Sequence, residues 1–205
     1  MRSVLVANPK GGCGKTTIST NLAAAFARAG LVTAIADADY LRNSLNWIER
    51  RSDDLPPIRG LDWTKGIGKV KKNVDRLVID APAAINSKDF QSLLKMADVI
   101  VLPILPSAFD QIAAVTFLGK IETLKPIRKN RKPVAVVANR VRTRTRAARS
   151  LLEFLNQFNH APVMTIRETV IYTDAAETGA SVFDRRDRVS LAIQAEWAPL
   201  IAYVD

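Results

Sequence analysis

A glycine- and lysine-rich stretch near the beginning of the chain constrains the fold more than any other feature. Residues 8–17 read Asn-Pro-Lys-Gly-Gly-Cys-Gly-Lys-Thr-Thr and follow an apolar run over residues 4–7 that is typical of a buried strand. Residues 18–29 are rich in Ala and Leu, which favour a helix. In such a strand–loop–helix unit, N–H groups of the loop and of the helix N-terminus converge and can bind phosphate. The stretch therefore predicts an α/β fold with a phosphate-binding loop.

Strand-like and helix-like segments alternate along the rest of the chain. This alternation predicts one doubly wound α/β domain over residues 1–205, with a mostly parallel sheet and helices on both faces. We expect further strands over residues 31–36, 76–80, 98–102, 133–138 and 161–166, and helices over 41–51, 88–96, 110–124, 145–158 and 189–203. Pro103 is expected to end the strand before it. Residues 52–73 are charged and interrupted by prolines and glycines, which indicates an excursion with little regular structure.

The charge of the chain indicates a polyanionic partner. With 30 Lys and Arg against 20 Asp and Glu, the net charge is +10, which suits nucleic acid or an anionic membrane. A solvated basic face is the alternative interpretation. Arginines two residues apart over 140–146 cannot share one helix face, so part of this run is expected in a loop. The basic residues form three groups: Lys125, Arg128, Lys129, Arg131 and Lys132; Arg140, Arg142, Arg144, Arg146 and Arg149; and Arg185, Arg186 and Arg188.

Cysteine content and hydropathy favour a cytoplasmic protein. Cys13 is the only cysteine, so no intrachain disulfide can form, and its place in the glycine loop suggests a packing role. No segment is long and apolar enough to cross a membrane. The first residues read as a strand and not as a signal peptide.

Acidic or amide side chains stand at the ends of three predicted strands. Asp37 and Asp39 follow the second strand, Asp80 ends the third, and Asn139 comes after the strand over 133–138. Ligands of open parallel sheets bind at the carboxyl ends of the strands, so we expect these residues beside the glycine loop. One aspartate in such a position is commonly a turn or cap residue. Together, however, they indicate a binding site at one edge of the sheet.

The loop and the strand ends together resemble a known family. The loop reads K-G-G-x-G-K-T, with Lys10 in addition to Lys15, and resembles the deviant Walker A motif of the ParA/MinD family of ATPases. Residues 37–39 resemble the D-x-D switch I of that family, and residues 80–82 resemble its D-x-P Walker B pattern. Asn139 follows at the place of the family's adenine-reading asparagine. Because the motifs come in the family's order, the resemblance covers nearly the whole chain and implies the P-loop NTPase fold.

The resemblance implies an ATPase that uses ATP and Mg²⁺. The catalytic residues would be Lys10, Lys15 and Asp39, with Asp39 orienting the attacking water. The implied metal-binding residues are Thr16, Asp80 and Asp37. Asn139 would read adenine, although a strand-end cap is its alternative role. Where the family often continues switch I with Pro-Gln, this chain has Tyr40-Leu41. The implied nucleotide-binding residues are Lys10, Gly11, Gly12, Cys13, Gly14, Lys15, Thr16, Thr17 and Asn139.

The resemblance also implies partners. In the family, the additional lysine of the loop reaches the nucleotide of a second subunit, which implies a homodimer bridged by ATP. Further implied partners are non-specific double-stranded DNA, with nucleoid association, and a cargo-bound partner protein that stimulates hydrolysis; no membrane partner is expected. The cargo would be a plasmid, a chromosome region or a protein body such as a carboxysome. The candidate DNA contacts are Arg140, Arg142, Arg144, Arg146, Arg149, Arg167, Arg185 and Arg186.

Other functions within the same superfamily remain as alternatives. A MinD-like membrane-associated positioning ATPase needs a basic amphipathic helix, but residues 195–205 carry no Lys or Arg and contain Pro199. An iron–sulfur carrier needs more cysteine ligands than Cys13 offers. A nucleotide-locked scaffold without turnover is the interpretation if Asp39 is misplaced.

Overall fold

One parallel sheet organises the part of the chain that this computed structural model describes, residues 1–129, 132–157 and 161–205. Within those residues the strand order is β3-β2-β4-β1-β5-β6-β7, and all neighbouring strands are parallel. This confirms the predicted doubly wound α/β fold. Arg131 and residue 158 of the predicted helix over 145–158 lie outside the described residues. The strands are β1 (Arg2–Val6), β2 (Thr33–Asp37), β3 (Ile58–Asp62), β4 (Arg76–Asp80), β5 (Val99–Ile104), β6 (Val134–Val141) and β7 (Met164–Arg167).

Helices cover both faces of the sheet and bury two apolar cores. One core contains side chains of α1, α2, α8 and α9, and the other contains side chains of α3, α4, α5 and α6. No helix in the described ranges combines the length and the apolar character needed to cross a bilayer. The helices are α1 (Lys15–Arg28), α2 (Asn43–Glu49), α3 (Ser87–Met96), α4 (Ala108–Glu122), α5 (Lys125–Arg128), α6 (Arg146–Gln157), α7 (Ile171–Glu177), α8 (Arg188–Glu196) and α9 (Ala198–Val204).

The region over 52–73 contains a strand, so the prediction of little regular structure there is wrong. β3 is an edge strand that pairs with β2 alone, and its side chains alternate between half-buried and exposed positions after the buried Ile58. Such a strand needs no continuous apolar run, which is why its sequence resembles a loop. Gly60 also has a packing role, because a Cβ there would lie 2.7 Å from Leu45 Cδ2 of α2.

The strand β5 continues through Pro103, which corrects the prediction that this proline ends it. β1 pairs with β5 only as far as Val101, so the ring nitrogen of Pro103 faces a position where no strand requires a donor. The carbonyl of Pro103 is used, because Asn8 Nδ2 donates to it at 2.6 Å. The neighbouring β6 likewise extends past its predicted end to Val141, with an irregularity after Ala138.

The predicted closing helix over 189–203 is two helices. Trp197 separates α8 from α9, and Pro199 occupies one of the first two positions of α9, where a missing N–H costs nothing. The fully buried Trp197 packs edge-to-face against Phe183 and donates its indole N–H to the Tyr172 hydroxyl at 3.0 Å. The short helices α5 and α7 have no counterpart in the sequence-based prediction.

Candidate nucleotide-binding site

The connection from β1 to α1 has the backbone that a phosphate-binding loop requires. Gly12 and Gly14 adopt left-handed conformations with φ of 74° and 93°, which glycine reaches without strain. Gly14 is the N-cap of α1, so the first free N–H groups of the helix and the positive end of its dipole face the loop. Asn8 braces the loop, because its Oδ1 accepts from the Lys10 N–H at 2.8 Å.

Cys13 and Asn139 pack the inner side of this loop. Cys13 is fully buried, its thiol donates to the Lys10 carbonyl at 3.3 Å, and burial raises the pKa of the thiol. Asn139 is also buried and donates from Nδ2 to the Cys13 carbonyl at 2.7 Å. A Cβ on Gly14 would lie 2.1 Å from that same Nδ2. The amide that sequence analysis assigned to adenine therefore also supports the phosphate loop.

The two lysines of the loop have different partners. Lys15 is buried, and its Nζ donates to the Lys10 carbonyl at 2.9 Å. Lys10 extends away from the loop to α4, where its Nζ forms a salt bridge with Asp110 Oδ2 at 3.1 Å. The Lys10 side chain keeps 39% of its surface exposed, whereas that of Asp110 keeps 7%. Lys15 thus belongs to the interior of the site and Lys10 to its rim.

The carboxylate of Asp37 anchors the start of α2. Its Oδ2 accepts from the Ser44 N–H at 2.9 Å, the Ser44 hydroxyl at 2.7 Å and the Leu45 N–H at 3.2 Å. Its Oδ1 accepts from the Asp39 N–H at 3.0 Å. Asp37 is fully buried, so these four hydrogen bonds satisfy a charge that water cannot reach. The metal-binding role of Asp37 stays a prediction.

Asp80 lies beside Asp37 in strand register and offers a buried oxygen for which the described residues supply no hydrogen-bond donor. The oxygen is Oδ2; Oδ1 accepts from the Ser19 hydroxyl at 3.2 Å. Burial first, and then the Asp37 carboxylate, raise the pKa of Asp80 to about 7, and the nearby Thr16 and Ser44 hydroxyls and the Lys15 ammonium oppose this rise. An unsatisfied carboxylate oxygen near a threonine hydroxyl is a suitable ligand set for Mg²⁺. Asp80 and Thr16 therefore fit the expected metal.

Asp39 lies in the turn that leads from β2 to α2. Its Oδ1 accepts from the Leu41 N–H at 3.1 Å and its carbonyl from the Arg42 N–H at 2.9 Å, so the side chain closes a tight turn. Asp39 is half-buried at the edge of the sheet that holds the phosphate loop. Tyr40 and Leu41, which depart from the family pattern, are exposed by 80% and 53%. The two residues that depart from the family pattern thus lie on the surface of this turn.

A cavity of about 500 Å³ opens next to the phosphate loop, between β6 and the segment after β7. Gly12, Gly14 and Thr17 form one side of it, and Asn139 lies in its wall. Its other walls include Arg140, Arg142, Arg167, Glu168 and Tyr172. The cavity begins where the phosphates of a nucleotide would end, so it has the position and volume for a base and ribose.

Some of the arginines assigned to DNA have acidic partners within the protein. Arg140 NH2 lies 3.0 Å from Glu168 Oε1, and Arg142 pairs with the other oxygen of the same carboxylate. Their two guanidinium groups hold the pKa of Glu168 below its usual range. Arg167 and Arg185 also form ion pairs, with Glu196 and Asp187 respectively.

The remaining candidate arginines are exposed and form no salt bridge within the described residues. Arg144 lies in the turn after β6, Arg146 and Arg149 lie on the first turns of α6, and Arg186 precedes α8. This arrangement confirms that part of the run over 140–146 is a loop, because α6 begins only at Arg146. The assignment of all these residues to DNA stays a prediction.

Sequence reasoning did not identify Asp110, Ser44, Ser19 and Glu168 as part of this site. Asp110 comes 100 residues after the lysine that it pairs with, so no local pattern connects the two. The only signal is the Ser107-x-x-Asp110 spacing of a helix cap, which the structure shows at the start of α4. Glu168 directly follows β7, at the same edge of the sheet as the other strand-end residues, which is the signal that could have identified it.

Comparisons with known proteins agree with this architecture. The family model for the CobQ/CobB/MinD/ParA nucleotide binding domain matches residues 4–182. The "Maintenance of carboxysome distribution protein A" of Halothiobacillus neapolitanus is 32% identical over 189 residues, which is 88% of this chain and 86% of the relative. A structure of Cyanothece McdA in complex with ATP superposes with a TM-score of 0.75 at 15% identity, over 98% of this chain and 96% of the other. Pyrococcus horikoshii MinD with Mg-ADP gives a TM-score of 0.70 at 17% identity, over 100% and 96%. The chain belongs to the CobQ/CobB/MinD/ParA family of nucleotide-binding domains.

Proposed function

We propose that this chain is an ATPase that dimerises around ATP, binds DNA without sequence preference and distributes a cargo. The observation that carries the proposal is one loop with two lysines in different environments, Lys15 inside the site and Lys10 on its rim. A phosphate loop needs one lysine for its own nucleotide. A second lysine on the exposed rim is available to a nucleotide held by another subunit, where it would stabilise charge as an arginine finger does.

The residues of the site have separate roles in this proposal. Lys15 binds the β- and γ-phosphates, which also accept from the loop N–H groups and the start of α1. Thr16 and Asp80 hold Mg²⁺, which when bound neutralises phosphate charge. Asp39 orients the attacking water from the turn after β2. Asn139 contributes an amide to the wall of the cavity that we assign to adenine.

The DNA-binding part of the proposal relies on the exposed arginines that form no salt bridge with the described residues. Arg144, Arg146 and Arg149 follow one another closely in the sequence around the start of α6, and phosphate contacts alone suffice for binding without sequence preference. A dimer would present two such groups. We regard Arg140, Arg142 and Arg167 as weaker candidates, because all three line the cavity that we assign to the nucleotide and each forms an ion pair, Arg140 and Arg142 with Glu168 and Arg167 with Glu196.

The cargo is proposed from one of the relatives described above. The Halothiobacillus neapolitanus protein is named for carboxysome distribution, and the match spans most of both chains. We propose a protein body of this kind as cargo, with a cargo-bound partner protein that stimulates hydrolysis.

The MinD-like membrane alternative receives less support, because α9 buries Leu200 and Val204 in the core and so lacks a free apolar face.

The test is a DNA-binding titration at several salt concentrations, with ADP and with a slowly hydrolysed ATP analogue. We expect tighter binding with the analogue and a log–log salt slope that grows by roughly 0.9 for each phosphate contacted. The triple variant Arg144→Glu, Arg146→Glu, Arg149→Glu should weaken binding to all sequences. A variant with the same charge change, Lys69→Glu, Lys71→Glu, Lys72→Glu in the exposed β3–β4 connection, serves as control. Equal affinity with both nucleotides, or equal loss in both variants, contradicts the proposal.

A further inference from the structure

We infer that Asp110 is a positioning residue that holds Lys10 within its own subunit, and that nucleotide binding at Lys15 helps to release it. The inference rests on the proposed function, because it concerns how Lys10 becomes available to a second subunit. Its basis is the set of contacts that residue 10 makes with both its side chain and its backbone.

The side chain of Lys10 is held by a buried carboxylate. Asp110 lies on the first turn of α4 and keeps 7% of its side chain exposed, while its Oδ2 accepts from Lys10 Nζ at 3.1 Å. The Ser107 hydroxyl donates to the same oxygen. Oδ1 is buried and receives no hydrogen bond from any described residue. Lys10 is thus the counter-ion of a carboxylate that has little access to water and an incomplete set of donors.

The backbone of Lys10 is held by the other lysine of the loop. Its carbonyl accepts from Lys15 Nζ at 2.9 Å and from the Cys13 thiol at 3.3 Å. Its N–H donates to Asn8 Oδ1 at 2.8 Å. Phosphates bound at Lys15 compete for the ammonium group that now binds the Lys10 carbonyl. Nucleotide binding in one subunit therefore removes one of the contacts that fix residue 10.

These contacts make Asp110 and a second subunit's nucleotide competitors for one ammonium group. When Lys10 moves to the phosphates of another subunit, Asp110 loses its counter-ion while it stays buried, which opposes dimerisation. Loss of the hydrogen bond from Lys15 to the Lys10 carbonyl favours the movement of Lys10 toward the second subunit. The cost of leaving Asp110 without its counter-ion is therefore partly offset in the nucleotide-bound subunit. The arrangement would keep Lys10 inactive until its own subunit holds a nucleotide.

The test compares dimerisation of Asp110→Asn with that of Asp110→Glu and the wild type. Dimer formation is followed by light scattering against the concentration of a slowly hydrolysed ATP analogue, with Mg²⁺ present. Asp110→Asn removes the charge at constant size and should lower the half-maximal analogue concentration by about tenfold, within the range of typical coupling between sites. Asp110→Glu restores a carboxylate and should return the midpoint toward that of the wild type. If Asp110 had a purely structural role, Asp110→Glu would not restore the weaker dimerisation of the wild type.

Ser107→Ala provides a second variant with the opposite expectation. It removes the hydroxyl that shares Asp110 Oδ2, so the carboxylate depends more on Lys10 and the midpoint should rise. An unchanged or raised midpoint in Asp110→Asn, with a normal wild-type dimer, overturns the inference alone. If Asp110→Asn does not fold, an unchanged or lowered midpoint in Ser107→Ala overturns it. Absence of an analogue-dependent dimer in the wild type instead overturns the proposed function on which the inference rests.

Discussion

Replacement of Asp37 by alanine separates the anchoring role of this residue from its predicted metal-binding role. In the absence of nucleotide and Mg²⁺, Asp37→Ala should strongly lower the free energy of unfolding. The carboxylate accepts four hydrogen bonds and is fully buried, and each hydrogen bond to a charged group contributes about 1.5–3 kcal/mol. Removal of the like charge beside Asp80 offsets part of this loss, because Asp37 raises the pKa of Asp80.

The expected net loss is about 3–5 kcal/mol, at the upper end of the range for single substitutions that break a buried hydrogen-bond network. For a chain of this size, this corresponds to a decrease in Tm of roughly 6–20 °C. Thermal and urea unfolding in EDTA measure it. Asp62→Ala is the matched control, since Asp62 is the strand-register partner of Asp37 on β3 but is exposed, and its replacement should leave the free energy of unfolding close to that of the wild type. A loss below about 1 kcal/mol for Asp37→Ala, together with weakened Mg²⁺ affinity, would refute the anchoring role.

Three further substitutions test other parts of the structure. Arg51→Met leaves buried Asp184 without its ion pair and should cost about 3–5 kcal/mol in urea unfolding. Burial acts to raise the pKa of Asp184, but Arg51 and Ser181 together outweigh burial and hold the pKa below its usual range. The wild type should therefore lose this stabilisation as pH falls through the lowered pKa, and the variant should show a smaller loss in the acid range. Gly14→Ala should abolish ATP-analogue binding in a fluorescence titration, since its Cβ collides with Asn139; near wild-type affinity would contradict the loop geometry. Asp39→Ala should bind ATP and dimerise but hydrolyse slowly, and wild-type turnover at saturating ATP would make Asp39 structural.

The sequence was sufficient to predict the elements whose signals are local. The buried central strands are continuous apolar runs, so β4 lies over the predicted residues 76–80, and β1 overlaps the predicted run over 4–7 but begins at Arg2 and ends at Val6. The helix α1 begins at Lys15, three residues before the predicted helix over 18–29. β3 was missed for the opposite reason, since an edge strand buries little and Ile58 is the one buried residue of this strand. Pro103 shows that the cost of a proline within a strand depends on its neighbours. The pairing of β1 with β5 ends at Val101, so no backbone N–H is needed at position 103.

The contacts that define the candidate site were less predictable, because they join residues far apart in the sequence. The sequence identified both lysines of the loop, but their partners follow from the tertiary fold: the carbonyl of residue 10 for Lys15, and the first turn of α4 for Lys10. The partners of Asp37 and Asp80 also follow from the tertiary fold. Both residues end a strand, but Asp37 Oδ2 accepts three hydrogen bonds from α2, whereas Asp80 Oδ2 receives none from the described residues. Two aspartates at equivalent strand ends therefore differ in their chemistry, because different elements pack against them.

The arginine run shows how the fold divides charges that the sequence groups together. β6 continues to Val141, which brings Arg140 and Arg142 to Glu168 directly after β7, at the cavity next to the glycine loop. The turn that follows directs the chain outward, and the arginines from residue 144 onward remain exposed. The charge of a paired guanidinium is already partly balanced by its carboxylate, whereas an exposed guanidinium that forms no salt bridge with the described residues offers its full charge to a phosphate. The net charge of +10 therefore overstates the charge available to DNA near β6, and the start of α6 is the part of this run best suited to a polyanion.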